Sequence, residues 1–141
     1  MTVFIQKATT YDWPVIKKIR RQVFGTELNI SENEIFDSKD RLADQFLIKF
    51  NGIIIGTFRL RYESKVSKIE RMAILKEYRH HGYGLASLTK IKQYCKERKS
   101  EEIVLDSIYG AKSFYEKFGF IRSGQIFSRV GIPHIKMYLN L

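Results

Sequence analysis

The sequence predicts one α+β domain over residues 1–141, with a mixed β-sheet between helices in three α/β/α layers. Several segments alternate in hydrophobicity with a period of two residues, as strands do, while others repeat at helical spacing. A strand followed by a helix and a second strand also implies a parallel pair with a right-handed crossover. An antiparallel N-terminal meander is therefore expected to continue into a parallel β-α-β unit.

The N-terminal half of the chain supplies the meander. Val3 to Lys7 is a short apolar strand, and a capping-box pattern then begins a helix over about Tyr11 to Phe24. The strands Asp44 to Phe50 and Ile53 to Tyr62 flank Asn51-Gly52, a dipeptide that strongly indicates a hairpin. These two strands are expected to pair antiparallel, and a further turn leads into a third strand.

The stretch from Ser67 to Ala86 is the one around which the chain is organised. Its first part alternates like a strand, so its two faces are expected to hold different side chains. One face would carry Ile69, Arg71, Ala73 and Leu75, and the other Glu70, Met72 and Ile74. A basic loop from Arg79 to Gly84 follows, and Leu85 to Lys99 then has a helical pattern.

The C-terminal part completes the parallel unit and closes the sheet. Glu102 to Asp106 is predicted as the next strand, and Gly110 to Phe118 as a short helix that ends at Gly119. The final strands are expected at Phe120-Ile121 and at His134 to Leu139, joined by a loop that contains Gly131 and Pro133.

The composition narrows the possible partners. The 141 residues carry a net charge of 25 − 15 = +10, which indicates either a solvated basic surface or an acidic ligand or partner. A nucleic-acid partner is less expected, because zinc-finger spacing and a heptad zipper are lacking. No apolar run approaches the ~20 residues of a membrane span, and no signal peptide is recognisable. With its lone Cys95, the protein is expected to be cytoplasmic.

A strand that leads through a glycine loop into a helix is a potential anion site. The first N–H groups of a helix lack intrahelical partners, and glycine lets a phosphate approach the backbone. This predicts a pyrophosphate site at Arg79 to Gly84. A dinucleotide fold is the weaker alternative, because Gly82-x-Gly84-x-x-Ser87 lacks the third glycine. A P-loop is excluded because no Gly-Lys-Ser/Thr follows the glycines.

Two motifs resemble the GCN5-related N-acetyltransferases (GNAT), whose hallmark is R/Q-x-x-G-x-G/A. The first is Tyr78-Arg79-x-x-Gly82-x-Gly84 after a strand, and the second is FYEKFGF from Phe114 to Phe120. The segment GIPHIKM from Gly131 to Met137, together with Arg21 to Phe24, is similar to an ElaA-type subgroup. Further likenesses to acyl-homoserine-lactone synthases, which share the fold, lie at Val23-Phe24, Asp37 and Arg59-Leu60.

The resemblance implies a GNAT-like mixed sheet with acetyl-CoA as cosubstrate and no metal. In the family, the central strand splays from its parallel neighbour, pantetheine pairs with the freed edge, and the helix N-terminus binds the pyrophosphate. A main-chain N–H near Met72 or Ala73 would hold the developing oxyanion. Many relatives carry Asn or Gln where this chain has Ile108, so that polar contact is absent here. The implied cofactor-binding residues are Met72, Ala73, Ile74, Arg79, His80, His81, Gly82, Tyr83, Gly84 and Leu85.

The resemblance also suggests catalytic residues. Tyr115 matches the general acid that protonates the departing CoA thiolate, and an ordinary aromatic of an amphipathic helix is the alternative. Glu70 lies near where some members place a catalytic glutamate, with a salt bridge or a solvated position as the alternative. A base acting through water would need no dedicated residue, and His134 could reach the cleft or be structural. Adjacent His80 and His81 do not define a zinc site.

The implied reaction is transfer of an acetyl group to an amine by direct attack in a ternary complex. The amine could belong to a small molecule or to a protein. The acid-rich segment from Glu27 to Asp44 is expected to border the acceptor site and to attract a cationic amine. Acyl transfer from a longer donor, or a non-catalytic CoA- or RNA-binding module on the same fold, are the alternatives. A homodimer is a common expectation for the family.

Overall fold

The computed structural model describes residues 2–141, and a seven-stranded mixed sheet forms its centre. The strands are β1 Val3–Lys7, β2 Asp44–Phe50, β3 Ile53–Glu63, β4 Val66–Ile74, β5 Glu102–Ile108, β6 Ile121–Arg129 and β7 Ile132–Asn140. They lie side by side in the order β1-β2-β3-β4-β5-β7-β6. Strands β2 to β4 form the predicted three-stranded antiparallel meander, β1 pairs antiparallel with β2, and β4 pairs in parallel with β5.

Helices cover both faces of the sheet. They are α1 Trp13–Arg20, α2 Glu32–Ile35, α3 Tyr83–Glu97 and α4 Lys112–Phe118, and a π-helical segment, Arg21–Glu27, continues α1. On one face Ile19 and Val23 pack against Ala73 of β4. On the other, Leu88 and Ile91 of α3 belong to the larger core that contains the inner side chains of the sheet. The predicted three-layer arrangement is confirmed.

The C-terminal strands are longer than the sequence predicts. The sequence predicts a short strand followed by a loop that contains Gly131 and Pro133. In the structure, β6 and β7 are nine residues long each and pair as a hairpin, and Pro133 lies within β7. Val130 and Gly131 both have positive φ, +49° and +73°, as a type I′ turn requires. The loop prediction was wrong because β6 is an edge strand with mostly exposed side chains, so it lacks the alternation of a half-buried strand.

A bulge interrupts the alternation of β4 at Arg71. Thr57 of β3 pairs with Ala73, whereas Arg59 pairs with Glu70, so β4 contains one residue more than β3 at this point. Arg71 has a φ of +53°, a region that non-glycine residues seldom adopt. The extra residue reverses the faces: Ile69 packs in the core under α3, and Ala73 packs under α1. The prediction that Ile69, Arg71, Ala73 and Leu75 share one face was therefore wrong.

The side chain of Arg71 fastens α2 over the sheet. Its Nε donates to the carbonyl of Ile35 at 3.0 Å, and its Nη2 donates to the carbonyl of Glu34 at 3.0 Å. The same Nη2 lies 3.2 Å from Oδ2 of Asp37. The last carbonyls of a helix lack partners within it, so the guanidinium caps the end of α2. The bulge thereby fixes the segment that covers this part of β4.

Strands β4 and β5 pair over only part of their length. Their parallel partners are Val66 with Glu102, Ser67 with Ile103 and Lys68 with Val104. Beyond Lys68, β4 continues its pairing with β3 as far as Ile74. The backbone edge of β4 that faces β5 is therefore open from Ile69 onward, as the family resemblance implies.

Buried ion pairs hold the segment before β2 against β3 and β4. Arg20 and Arg59 have side chains that are 0% and 1% exposed, and both bind Asp40, at 2.9 and 2.8 Å. Arg59 also contacts Asp37 at 2.7 Å and Glu70 at 3.0 Å. The network thus joins α1, β3 and β4 through three carboxylates.

We expect Arg59→Met to destabilise the fold by about 3–5 kcal/mol, because removing one partner leaves buried carboxylates uncompensated. The free energy of unfolding in urea measures the loss. Arg21→Met is the matched control, since Arg21 and Glu32 form an exposed pair with side chains 49% and 57% accessible. That control is expected to cost less than about 1 kcal/mol. Equal losses in the two variants would contradict a structural role for the buried network.

The same network predicts a loss of stability in acid. Burial alone would raise the pKa of Glu70, but the Arg61 hydrogen bond and the charges of Arg59, Arg61 and Lys68 lower it to about 2. A pKa below the unfolded value of 4.5 stabilises the folded state above that pH, and the contribution is lost as the pH falls from about 4.5 towards 2. The pKa difference of Glu70 corresponds to roughly 3 kcal/mol of folding stability at neutral pH. Unfolding titrations at pH 7 and pH 3 are expected to show this loss, and Arg59→Met to show less of it.

Candidate active site

A cavity of about 200 Å³ lies where β4 and β5 separate. Its walls come from β4, β5, the start of α4 and the β6–β7 hairpin, and α2 borders it on one side. The polar lining combines acids, bases, a phenol and an imidazole: Glu34, Lys68, Glu70, Arg71, Asp106, Tyr115, Arg129 and His134. Such a concave pocket with convergent polar groups is the expected form of a small-molecule site.

The predicted cofactor residues of β4 lie at the open edge of that strand. Ala73 and Ile74 pair with Thr57 and Gly56 of β3, and neither has a partner in β5 within the described chain. Met72 lines the cavity. Because the N–H groups of a strand alternate between its two edges, this stretch offers at least one main-chain donor on the β5 side. An extended ligand can pair there.

The predicted phosphate loop leads directly into α3. His80 and Gly82 have φ values of +64° and +84°, and a Cβ at Gly82 would meet nothing within 4 Å. The first intrahelical bond runs from Ala86 N–H to the Gly82 carbonyl, at 3.1 Å. The preceding N–H groups, up to that of Leu85, therefore have no helical carbonyl to bond. His80, His81 and Gly82 are exposed, so these donors are open to an anion.

The aromatic ring of Tyr83 anchors the first turn of α3. Its centroid lies 4.5 Å from that of Phe50 and 5.6 Å from that of His81. The ring thus packs on β2 while the backbone of the same turn faces outward. This arrangement holds the loop in place without using its N–H groups.

Arg79 is already engaged within the protein. Its guanidinium binds Glu27 through two hydrogen bonds of 2.7 and 2.9 Å, and its Nε donates to the carbonyl of Ile74 at 2.8 Å. These contacts tie the loop to the segment that continues α1. Its predicted contact with a pyrophosphate stays a prediction, because the guanidinium would have to share its charge with Glu27.

Tyr115 reaches the cavity from α4. Its ring makes edge contacts with Phe114 and Phe120, at centroid distances of 4.9 and 5.8 Å, and its hydroxyl lies 4.0 Å from the sulfur of Met72. Burial raises the pKa of Tyr115 to about 12, so the phenol is protonated at neutral pH. A protonated hydroxyl beside the open strand edge is placed to donate a hydrogen bond into the cavity.

Glu70 lines the cavity but is held by cations. Arg61 donates to its Oε1 at 2.6 Å and Arg59 at 3.0 Å, and Lys68 lies 3.7 Å from its Oε2. With a pKa of about 2, its carboxylate has little tendency to accept a proton at neutral pH. This environment is the one expected of the salt-bridge alternative, and a role of Glu70 as base stays a prediction.

The acid-rich segment borders the cavity through Ile30, Glu34 and Ile35. Most of its carboxylates, however, are neutralised by basic side chains. Within residues 2–141 Glu34 has no ion pair, so any attraction for a cationic amine depends on it. The paired acids are Glu27 with Arg79, Glu32 with Arg21, Asp37 and Asp40 with Arg59, and Asp44 with Lys7.

Sequence reasoning missed the ion pairs around Asp106. This residue lies two positions beyond the parallel part of β5, which ends at Val104, and its Oδ2 accepts from Lys68 of β4 and Arg129 of β6, each at 3.0 Å. Burial alone would raise the pKa of Asp106, but these two cations lower it. The contacts join three strands at the mouth of the cavity. Neither Lys68 nor Arg129 belongs to a motif, and only the register of the sheet brings them together.

Ile108 leaves this part of the lining without an amide, as the sequence predicts. The neighbouring Ser107 does not replace it, because its hydroxyl donates to the carbonyl of Ile108 at 2.8 Å. Across the sheet, Ile108 lies opposite His134 of β7. The side chain paired with Ile108 on the neighbouring strand is therefore the imidazole of His134.

Within residues 2–141, no group of His, Cys, Asp and Glu side chains is arranged to hold a metal ion. In the same part of the chain, no helix is both long enough and apolar enough to cross a membrane.

Comparisons with known proteins point in one direction. The family model described as an acetyltransferase (GNAT) domain matches residues 17–141. The Bacillus subtilis (strain 168) protein YyaT, itself uncharacterized, is 37% identical over 123 residues, which are 85% of this chain and 83% of YyaT.

Two solved structures share the fold over almost the whole chain. Escherichia coli ElaA has a TM-score of 0.82 at 20% identity, and the match covers 97% of this chain and 99% of ElaA. A GNAT family acetyltransferase from Elizabethkingia anophelis with acetyl-CoA bound has a TM-score of 0.78 at 18% identity, with 99% of each chain covered.

The close packing of α3 on α4 gives a test of the site's framework. A Cβ at Gly84 would lie 2.7 Å from the ring of Phe114, so Gly84→Ala must displace the residue next to Tyr115. We expect a loss of about 1–3 kcal/mol in the free energy of unfolding. Gly110→Ala is the control, because a Cβ there would meet nothing within 4 Å. Equal stability of the two variants would show that α3 and α4 do not pack as described.

Proposed function

Because this chain belongs to the GNAT acetyltransferase family, as its motifs predicted, we propose that it transfers the acetyl group of acetyl-CoA to an amine. The two substrates would be bound together, and the amine would attack the thioester directly. One observation carries the proposal. Strand β4 leaves β5 after Lys68 but keeps its pairing with β3, and the cavity that Tyr115 lines lies at that separation.

The chain's own groups fit acetyl-CoA at both ends. The exposed N–H groups at the start of α3 suit a pyrophosphate, and Gly82 leaves room for it to approach. The open edge of β4 suits the amide groups of pantetheine, which can pair as an added strand. The acetyl-CoA complex of the Elizabethkingia anophelis relative supports the same choice of cosubstrate.

The reaction balances without a metal or a covalent enzyme intermediate. The amine nitrogen forms a bond to the thioester carbonyl carbon, the carbon–sulfur bond breaks, and its electron pair leaves on sulfur. The nitrogen of the neutral amine gives up one proton, and the sulfur gains one. The products are an acetamide and the thiol of CoA. A main-chain N–H of the Met72–Ile74 stretch would stabilise the negative charge on the carbonyl oxygen.

Tyr115 is proposed as the group that protonates sulfur. Its pKa of about 12 keeps it protonated, whereas an ordinary thiol has a pKa of about 8.5. Complete transfer of the Tyr115 proton to the CoA thiolate is therefore energetically unfavourable while the thiolate is still bound. The phenol would donate a hydrogen bond to sulfur as negative charge develops there, and its proton would pass to sulfur as CoA leaves. The phenolate would then take a proton from water, which receives the proton lost by the amine nitrogen.

The size of the cavity favours a short acyl group over the longer donor considered from the sequence. About 200 Å³ is below the 300–1,000 Å³ of pockets that hold drug-sized ligands. An acetyl group and an amine fit that space more readily than a long acyl chain. The cytoplasmic location and the homodimer stay predictions.

A thiol-release assay tests the proposal. The purified protein is incubated with acetyl-CoA and a panel containing an alkylamine, a polyamine, a lysine peptide and a peptide with a free α-amino group. We expect thiol release with at least one of them, and a fall of about 10²-fold or more in kcat for Tyr115→Phe. Tyr109→Phe, which removes a hydroxyl outside the cavity lining, is expected to retain activity.

Each result has a clear consequence. CoA binding without thiol release from any amine would support the non-catalytic alternative and contradict the proposed function. Unchanged activity in Tyr115→Phe would remove Tyr115 from the mechanism. Greater turnover of longer acyl-CoAs than of acetyl-CoA would favour the other donor.

A further inference from the structure

We propose that His134 is the general base that deprotonates the acceptor amine, a role that rests on the acetyl transfer proposed above. A primary alkylamine is largely an ammonium ion at neutral pH and must lose a proton before it can attack. The cavity must therefore contain a proton acceptor or admit water. The position, hydrogen bonding and neighbours of His134 each favour the imidazole.

His134 enters the cavity from the face of the sheet opposite Tyr115. Its neighbours Ile135 and Met137 lie in the core under α3 and α4, together with the ring of Tyr115. Because side chains alternate along a strand, His134 projects to the other face, where α1 and α2 lie. It also lines the same cavity as Tyr115. The two groups thus line one cavity from opposite faces of the sheet, and a thioester carbonyl with its attacking amine would lie between them.

The hydrogen bonding of the imidazole leaves one nitrogen available as a base. Its Nδ1 lies 2.8 Å from the carbonyl oxygen of Ile132. A carbonyl can only accept, so Nδ1 carries the proton and, in the neutral ring, Nε2 holds the lone pair. The ring also stacks on Phe127, with a centroid distance of 5.8 Å and an angle of 26°. His134 is 7% exposed, and its contacts with Ile132 and Phe127 hold the ring in one orientation.

The other groups around the cavity are poorly suited to accept this proton. The carboxylates of Glu70 and Asp106 are held by cations, which lower their pKa values, and Glu34 is exposed to solvent. A carboxylate with a pKa of about 2 has little tendency to accept a proton at neutral pH. The charged groups that line the cavity with His134 are Glu34 of α2, Lys68, Glu70 and Arg71 of β4, Asp106 of β5 and Arg129 of β6.

One proton moves from the acceptor nitrogen to His134 and then to water. Nε2 of His134 takes one proton from the ammonium ion, giving a neutral amine and an imidazolium. The amine then attacks, and the imidazolium returns its proton to water after the products leave. The transfer moves one positive charge from the amine to the imidazole and adds none to the cavity, where the carboxylates of Glu34, Glu70 and Asp106 compensate the cations of Lys68, Arg71 and Arg129.

The test compares two nucleophiles in the thiol-release assay. The acceptor is the alkylamine, polyamine or peptide that the wild-type protein turns over best, and the reference is hydroxylamine, which is largely unprotonated at neutral pH. For His134→Gln we expect kcat/KM with the amine to fall by about 10²-fold or more, and with hydroxylamine by much less.

Two controls separate a base from a structural residue. Lys136→Gln changes a polar residue two positions along the same face of β7, outside the cavity lining, and is expected to retain activity. Urea unfolding and CoA titration of His134→Gln show whether it folds and binds the cosubstrate. If it does not fold, His134→Asn and His134→Ala are measured, the latter with added imidazole, which is expected to restore part of the rate.

The failures of the two proposals are distinguishable. A wild-type protein that releases no thiol with any amine overturns the proposed function, and this inference with it. An active wild type whose His134 variants lose the same factor with amine and hydroxylamine, or lose nothing, overturns only the role of His134.

Discussion

One inserted residue in β4 is the constraint on which the site depends. Arg71 holds a left-handed backbone conformation, which costs an L-residue roughly 1–2 kcal/mol. Three hydrogen bonds from its guanidinium to the end of α2 and to Asp37 offset that cost. The bulge lets β4 remain paired with β3 after it leaves β5. It also reverses which side chains face each helical layer, so that Met72 lies beside Tyr115 while Glu70 lies on the opposite side.

The basic composition of the chain is partly explained by its interior. Arg20 and Arg59 are buried and neutralise carboxylates of the acid-rich segment, and Arg79 and Arg71 bind the same part of the chain. The arginines thus hold α2 and its flanking turns against the sheet. A segment that looks from its sequence like an attractive surface for cations is mainly an internal partner for arginine. Little of its charge remains for an acceptor, so recognition of the proposed amine would depend on the few polar groups of the cavity lining.

Local patterns predicted most of the fold and part of the site. Asn51-Gly52 predicted the β2–β3 hairpin, and the glycine loop predicted where α3 begins. The FYEKFGF motif predicted that Tyr115 lies on a short helix, which is α4. The bulge was not predictable, because nothing in the alternation around Arg71 signals an extra residue; it follows from pairing with β3 and from the anchoring of α2. The ion pairs of Asp106 and the fixed tautomer of His134 were also hidden, since they arise from the register of β5, β7 and β6. Long-range register is not encoded in a short window of sequence.

The central claim is that the gap between β4 and β5 receives the cosubstrate, with its phosphates at the start of α3. Titration of the isotope-labelled protein with CoA, followed by backbone amide NMR, tests this most directly. The account predicts that the largest shifts occur at the amides of Met72 to Ile74 and of His80 to Leu85. Shifts confined to another surface, such as the exposed side of α3 around Thr89 and Gln93, with β4 unchanged, would contradict it.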